Sequence, residues 1–170
     1  MGLKFHTSFP KASNSIRTIN NSKFLSFLLT KRFGFPLGVK CHAVKIPEEI
    51  INSETTFVFA TIRGIFDTDG CVFIDKRNAY KNPYPRITFV TVSKQLYLQL
   101  KAFLENYFSL YCAKKMPAES EYNRSPRYEI TIYGKKQLEK WVQLIGFSNE
   151  RHLSKIKTLK PMEGIEPSTC

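Results

Sequence analysis

The sequence contains few cysteines and no long hydrophobic run, and each absence argues against a class of protein. Its four cysteines lie far apart without Cys-x-x-Cys spacing, which argues against a disulfide framework and against a zinc site. Lysine and arginine interrupt every apolar stretch before it reaches the ~20 residues of a membrane span. No signal-peptide pattern opens the chain. We therefore expect an intracellular, soluble protein without a membrane partner.

Acidic residues are also scarce. The chain has 14 aspartates and glutamates against 26 lysines and arginines, which gives a net charge of +12 across 170 residues. Such an excess of positive charge favours a polyanionic partner. Nucleic acid is preferred over a membrane surface, because no amphipathic basic helix dominates the sequence. The length suits one domain with an appended segment and allows a sizeable core.

An apolar helical run over residues 57–70 ends in two carboxylates. Asp67 and Asp69 lie just before Gly70, where the helix is predicted to stop. Carbonyl dipoles make the C-terminal end of a helix partly negative, so anions there raise the free energy unless cations or donors compensate them. A divalent metal would compensate directly. The sequence therefore indicates a metal site at this helix end.

A stripe of small residues runs along the same helix. Ala60, Gly64 and Thr68 are four residues apart and share one face, which a second helix could approach closely. Two copies of the helix would bring two carboxylate pairs together. We therefore predict a homodimer through the helix over residues 57–68, with Ala60 and Gly64 at the interface. A nucleic-acid target of such a dimer would be nearly palindromic, because it would mirror the two-fold axis.

The rest of the chain alternates short strands with amphipathic helices. Period-two patterns predict four strands, over residues 71–77, 86–92, 110–116 and 128–133. Helical periodicity predicts helices after Ser93 and around residues 138–145 and 153–159. From residue 55 to residue 160 the order is α-β-β-α-β-β-α-α. This order predicts an α+β fold with an antiparallel four-stranded sheet and helices on one face.

The uncovered face of such a sheet is a candidate surface for binding DNA, and its side chains recur at every second residue. This parity selects Phe73, Asp75, Arg77, Arg86, Thr88, Lys115, Glu129 and Thr131. Arginine can pair with guanine, a carboxylate can accept from cytosine, and threonine can contact the thymine methyl group. An ordinary solvated sheet face is the alternative interpretation. Double-stranded DNA is the predicted partner, and RNA is a second one, because the same basic sheet could bind either.

Residues 62–70, Ile-Arg-Gly-Ile-Phe-Asp-Thr-Asp-Gly, resemble the nine-residue signature of the LAGLIDADG homing endonucleases. Arg63 departs from the small residue that is usual at the second position. The resemblance implies a metal-dependent DNA endonuclease of intron or intein homing, and the predicted order of elements is similar to the core repeat of that family. It also implies that Asp69 and the backbone carbonyl of Thr68 bind the catalytic metal.

Further site residues are implied by the same resemblance. Mg²⁺ is the expected ion, because a carboxylate and a carbonyl are hard oxygen ligands. Asp67 would be either a second ligand or the group that orients the helix end, and the resemblance favours the second role. Family members place a basic residue near the phosphate, which implies Arg151 here, with His152 and Lys155 as alternatives. Ser93 would either organise water or cap the helix that follows it.

The resemblance also divides the chain. The stretch 38–40 and the pair Ile46-Pro47 are similar to the passage that closes the first repeat in two-motif members of the family. We therefore expect residues 1–50 to be an N-terminal arm or the remnant of a preceding repeat. Residues 51–160 would be the endonuclease domain and residues 161–170 a flexible tail. With one acidic helix, the site would be completed by homodimerisation or, alternatively, by a separate partner.

Three functions are compatible with these observations. The leading hypothesis is an endonuclease that cuts both strands of a long DNA site. The second is a maturase that binds intron RNA on the same scaffold, and the third is a noncatalytic DNA-binding regulator. The intact Asp69 argues against the third.

Overall fold

The chain forms two compact units, residues 1–40 and residues 41–170. The computed structural model describes residue 4 and residues 6–8, 17–37, 41–75, 83–116 and 125–159. Arg77, the stretch 38–40 and the expected tail over 161–170 lie outside the described residues, so the expectations about them stay predictions.

The first unit contains a pair of short strands and a short helix. β1 (His6–Ser8) pairs antiparallel with β2 (Arg17–Ile19). α1 spans Lys23–Phe27 and continues as a π-helical segment over Leu28–Arg32. Gly34 follows with φ of +65°, the left-handed conformation in which glycine commonly ends a helix.

In the described part of the second unit, the seven helices and strands of the predicted repeat follow one short helix and precede a further helix. The elements are α2 (Glu48–Ile51), α3 (Thr55–Asp69), β3 (Gly70–Asp75), β4 (Tyr84–Thr91), α4 (Lys94–Leu104), β5 (Leu110–Lys115), β6 (Arg127–Tyr133), α5 (Lys135–Leu144) and α6 (Glu150–Lys157). From α3 onward this is the predicted order. Among the described helices, none has the length and apolar character of a membrane span.

The sheet of the second unit has the strand order β3-β4-β6-β5, and all neighbours are antiparallel. Phe73, Arg86 and Tyr133 lie opposite one another across three strands. Val72 and Ile87 form the next pair and point the other way, because successive side chains alternate between faces. Both are buried. The sheet therefore has one core face and one open face.

Helices α3, α4 and α5 cover the core face of the sheet. Phe66 of α3 has its ring 4.6 Å from that of Trp141 in α5 and 5.2 Å from that of Phe89 in β4. Leu100 of α4 and Ile62 of α3 are also fully buried. Each such side chain contributes roughly 1.5–3 kcal/mol by leaving water. The predicted α+β fold with helices on one face is confirmed.

Residues 41–50 pack with the second unit. The Gln99 side chain of α4 accepts a hydrogen bond from the Ile46 amide at 2.8 Å and donates one to the Ile46 carbonyl at 2.9 Å. Ile46 is itself buried in the core. The structural division therefore follows Lys40, whereas the predicted domain boundary follows Ile50.

Ser93 joins residues 41–50 to the start of α4 by hydrogen bonds. Its hydroxyl donates to the Val44 carbonyl at 2.6 Å and accepts from the Leu96 amide at 3.2 Å. The second bond is that of a helix N-cap. Of the two roles considered for Ser93, the cap is the one that the structure supports.

Candidate active site and nucleic-acid interface

Asp69 is the last residue of α3, and its side chain is exposed. An added Cβ at Gly70 would lie 2.5 Å from the Phe66 carbonyl oxygen, so glycine allows the chain to pass directly from α3 into β3. The Thr68 hydroxyl turns back to the Gly64 carbonyl at 3.1 Å. No hydrogen bond or ion pair joins the Asp69 carboxylate to another described residue. A carboxylate thus stands at the partly negative end of a helix without a compensating group from the described part of the chain.

Asp67, two residues earlier, has a different environment. Its carboxylate accepts hydrogen bonds from the Ser148 amide at 2.9 Å and from the Asn149 amide at 3.2 Å. The Asn149 side chain donates in return to the Asp67 carbonyl at 2.9 Å. These three bonds join the end of α3 to the start of α6. They favour the role in which Asp67 orients the helix end over its role as a second metal ligand.

Helix α6 places two cations along the free edge of β3. Arg151 Nη2 donates to the Gly70 carbonyl at 3.2 Å, and Lys155 Nζ donates to the Val72 carbonyl at 2.9 Å. These carbonyls belong to an edge strand, whose outer hydrogen-bonding groups have no neighbouring strand among the described residues to pair with. The predicted basic residue, Arg151, therefore lies next to the residue that follows Asp69.

His152 was an alternative to Arg151, but its side chain is fully buried. Its ring lies 5.0 Å from that of Phe147, and its Nε2 lies 3.3 Å from Arg151 Nη2. Burial lowers the pKa of His152 and the Arg151 charge lowers it further, whereas Asp67 opposes the shift. The imidazole is therefore neutral near pH 7 and supports Arg151 from within the core.

The exposed face of α3 carries the predicted small residues. Ala60, Gly64 and Thr68 are exposed, while Ile62 and Phe66 on the other face are fully buried. An added Cβ at Gly64 would meet no described heavy atom within 4 Å. The stripe is therefore open in one copy of the chain, and its use as a dimer interface stays a prediction.

Arg63, the departure from the family signature, points away from that stripe. Its Nε donates to the Ile145 carbonyl at the end of α5, at 2.5 Å. The next residue, Gly146, has φ of +72° and accepts a hydrogen bond from Trp141 Nε1 at 3.1 Å. A cation at the C-terminal end of a helix is favourable, so Arg63 stabilises the packing of α3 on α5.

The open face of the sheet carries the residues predicted to contact DNA, and one of them is covered. The Arg86 guanidinium carbon lies 5.1 Å from the Phe73 ring centroid and 5.9 Å from that of Tyr133. Arg86 Nη2 also bonds the Asp75 carboxylate. Asp75 has the predicted parity but is only 1% exposed. Asp75 therefore lies on the side of the strand predicted to face DNA but is buried there, because parity specifies the side of the strand and not what lies above it.

A second covered residue lies at the middle of the same face. Thr131 is 1% exposed, its hydroxyl is 3.2 Å from that of Thr88, and it donates to Glu129 Oε1 at 3.1 Å. Lys115 forms an ion pair with the same glutamate. The four predicted residues thus form one polar network across the sheet, in which Thr131 is an internal member and not the exposed contact that was predicted.

Sequence reasoning missed a cation that lines the same cavity as Asp69. A shallow cavity of about 330 Å³ opens beside Asp69 and is lined also by Arg127 of β6. Arg127 has the same parity as Glu129, so the alternation that selected Glu129 could have selected it too. Its place in the lining of this cavity depends on the strand order and could not be read from spacing.

The described part of the chain contains no group of three or more His, Cys, Asp or Glu side chains placed to hold a metal ion. One copy therefore offers, at the end of α3, the Asp69 carboxylate and the main-chain carbonyls of the helix terminus. This donor set consists of hard oxygens, which suits Mg²⁺ but is too small for a complete site.

Comparison with known proteins agrees with this architecture. Residues 56–146, which extend from α3 to the end of α5, match the family described as a LAGLIDADG-like domain. The chain is 30% identical over 162 residues to a probable translation initiation factor IF-2 of Methanocaldococcus jannaschii. It is 25% identical over 167 residues to an uncharacterized protein of the same organism.

The two alignments cover 92% and 98% of this chain, but it spans only 13% and 17% of those proteins. The similarity therefore concerns a segment of each relative, and their names do not describe this segment. The family match, by contrast, covers more than half of the chain and includes the helix that ends in Asp69. On this match, the chain belongs to the LAGLIDADG family.

Proposed function

We propose that the chain is a site-specific, metal-dependent DNA endonuclease that cuts both strands as a homodimer. The observation that carries the proposal is the exposed Asp69 carboxylate at the C-terminal end of α3, next to an exposed small-residue face. A carboxylate there raises the free energy of the folded chain unless a cation binds to it. Family membership and the net charge of +12 support a polyanionic substrate.

The dimer follows from the size of the donor set. Among the described residues, one copy offers Asp69 alone as an acidic side chain near this helix end, since Asp67 is bonded to the start of α6. Close approach of two α3 helices along Ala60 and Gly64 would bring two Asp69 carboxylates to one place. A two-fold dimer would in turn read a near-palindromic target.

The donors fit a magnesium ion. The Asp69 carboxylate and the Thr68 carbonyl would hold it, because Mg²⁺ prefers hard oxygens and retains several waters. When bound, it would supply an activated water and stabilise charge on the phosphate. Arg151 and Arg127 would offset the charge of a phosphate placed beside Asp69, and the open face of the sheet would hold the duplex.

The test is cleavage of a randomised duplex library by the purified chain with Mg²⁺, Ca²⁺ or EDTA, together with its mass in solution. Asp69→Asn is the test variant, and Glu54→Gln, at the other end of α3, is the matched control. We expect Mg²⁺-dependent double-strand cuts from a dimer, lost in Asp69→Asn and retained in the control. Cuts that survive Asp69→Asn would overturn the assignment.

A second candidate function is binding of intron RNA without cleavage. The observation in its favour is a pair of exposed rings on the open face of the sheet: Phe73 is 51% exposed and Tyr111 is 53% exposed. Unpaired RNA bases stack on such side chains. Binding to structured RNA in the absence of any DNA cleavage would select this function.

A further inference from the structure

Arg86 is held on three sides at one end of the open sheet face. The rings of Phe73 and Tyr133, its neighbours on either strand, flank the guanidinium at 5.1 and 5.9 Å. The Asp75 carboxylate binds Nη2 on a third side. Cation–π contacts and an ion pair of low exposure restrict the long side chain to one conformation.

The restricted arginine still reaches the surface. Its side chain is 27% exposed, while that of Asp75 is 2% exposed. Nε of Arg86 is buried without a partner among the described residues, and Nη2 is bonded to Asp75. The inner side of the guanidinium is therefore fixed, and the exposed part of the side chain is the outer side that a ligand can reach.

The chemistry of that outer side favours a base over a phosphate. A fixed, planar guanidinium matches the O6 and N7 acceptors of guanine, whereas phosphate contact needs only a mobile charge such as lysine. The flanking Phe73 ring is 51% exposed, and an apolar ring suits the thymine methyl group that can lie beside a guanine in the major groove.

We propose that Arg86 reads a guanine in the major groove of the target, and that Asp75 is the residue that positions it. The proposal rests on the proposed function, since it takes duplex DNA as the ligand. Arg86 is opposite Phe73, four residues along the strand from Asp69. That separation is about 13 Å, or about four base-pair steps for a groove that follows the strand.

The test begins with selection of bound duplexes from a randomised library in Ca²⁺, so that it reads binding whether or not the chain cleaves. Each invariant G·C pair of the selected duplex is then replaced by A·T. We expect one replacement per half-site, about four base pairs from the cleavage position, to weaken binding about 5- to 150-fold. This loss should disappear when Arg86 is replaced.

Three variants separate base reading from charge. Arg86→Lys keeps the positive charge but removes the planar fork, so it should lose the preference for that guanine while its affinity for the A·T duplex stays within about two-fold of the wild type. Asp75→Asn should reduce the preference at the same base pair and at no other. Lys94→Ala removes one charge from an exposed position on α4 and should leave all preferences unchanged. Melting temperatures show which variants are folded.

The outcomes distinguish this inference from the proposed function. A guanine preference that survives Arg86→Lys, or a loss of affinity spread evenly over all sequences, would show a phosphate contact and overturn the inference. A duplex that is selected with the Arg86-dependent guanine but never cut in Mg²⁺ would support the inference and refute the nuclease.

Discussion

Strand β3 has an aspartate at each end, and the two carboxylates lie in opposite environments. Asp69, just before the strand, is exposed and has no partner among the described residues. Asp75, at the far end, is buried and bonded to Arg86. The two share the same parity along the chain, so alternation does not distinguish them. An aspartate at one end of the strand is therefore available to a ligand, whereas an aspartate at the other end positions a neighbouring side chain.

The largest effect is expected when the exposed carboxylate of Asp69 is removed. Asp69→Asn should reduce the rate of DNA cleavage on the order of 10³-fold or more, since it removes the carboxylate proposed to hold the metal. The same change should stabilise the fold by about 0.3–1 kcal/mol, because it removes a negative charge from a helix C-terminus. Cleavage assays and urea unfolding measure the two effects. Lower stability together with lower activity would indicate a structural role instead.

Removal of the Asp75 carboxylate should lower the stability of the fold, whereas removal of the Asp69 carboxylate should raise it. Asp75→Ala should destabilise the second unit by about 2–3 kcal/mol, because it leaves the partly buried Arg86 charge without its partner. Asp69→Ala, the same truncation at the other end of the strand, is the matched control and should not destabilise the second unit, because it removes a negative charge from a helix C-terminus. Urea unfolding of both variants gives the comparison. Equal losses would mean that the two carboxylates do not differ as the structure describes.

Asp67 provides a second comparison with Asp69, because it lies at the same end of α3 but is hydrogen-bonded to the start of α6. Asp67→Ala should destabilise the chain by about 1–2 kcal/mol, since two amides at the start of α6 lose a charged acceptor. Cleavage should fall about 10-fold, because Arg151 is then less well placed beside Gly70. The Mg²⁺ concentration for half-maximal rate should not change. A shift in that concentration would make Asp67 a metal ligand.

The smallest expected effect concerns pH at the contact between α6 and β3. Burial lowers the pKa of His152 in the folded chain below its ordinary value of 6.5, so the unfolded chain binds more protons. Stability should therefore fall as the pH drops below 6.5, by at most about 1.4 kcal/mol per pH unit. His152→Gln should flatten this dependence, and His6→Gln, an exposed control, should not. An unchanged slope in His152→Gln would show that other groups cause it.

The fold of the second unit was largely predictable because its elements are encoded locally. Leu96, Leu100 and Leu104 repeat at helical spacing and are all buried in α4. Ile87 and Phe89 alternate with polar residues and both face the core from β4. Such patterns need only neighbouring residues to be read.

The site was less predictable because its contacts join distant parts of the chain. Asp67 bonds residues 81 and 82 positions away, and Arg151 bonds Gly70 from 81 positions away. Parity put Asp75 on the correct side of its strand, but its ion pair with Arg86 depends on the pairing of two strands. Spacing in the sequence carries no information about either kind of contact.

The most direct test of the central claim, that two Asp69 carboxylates from two copies complete one active site, uses mixed dimers. Wild-type and Asp69→Asn chains with different tags are co-purified, and the mixed dimer is given the selected duplex with Mg²⁺. We predict that the mixed dimer has lost double-strand cleavage, while wild-type dimers cut both strands. Full double-strand cleavage by the mixed dimer, or by a wild-type chain that is monomeric on DNA, would contradict the account.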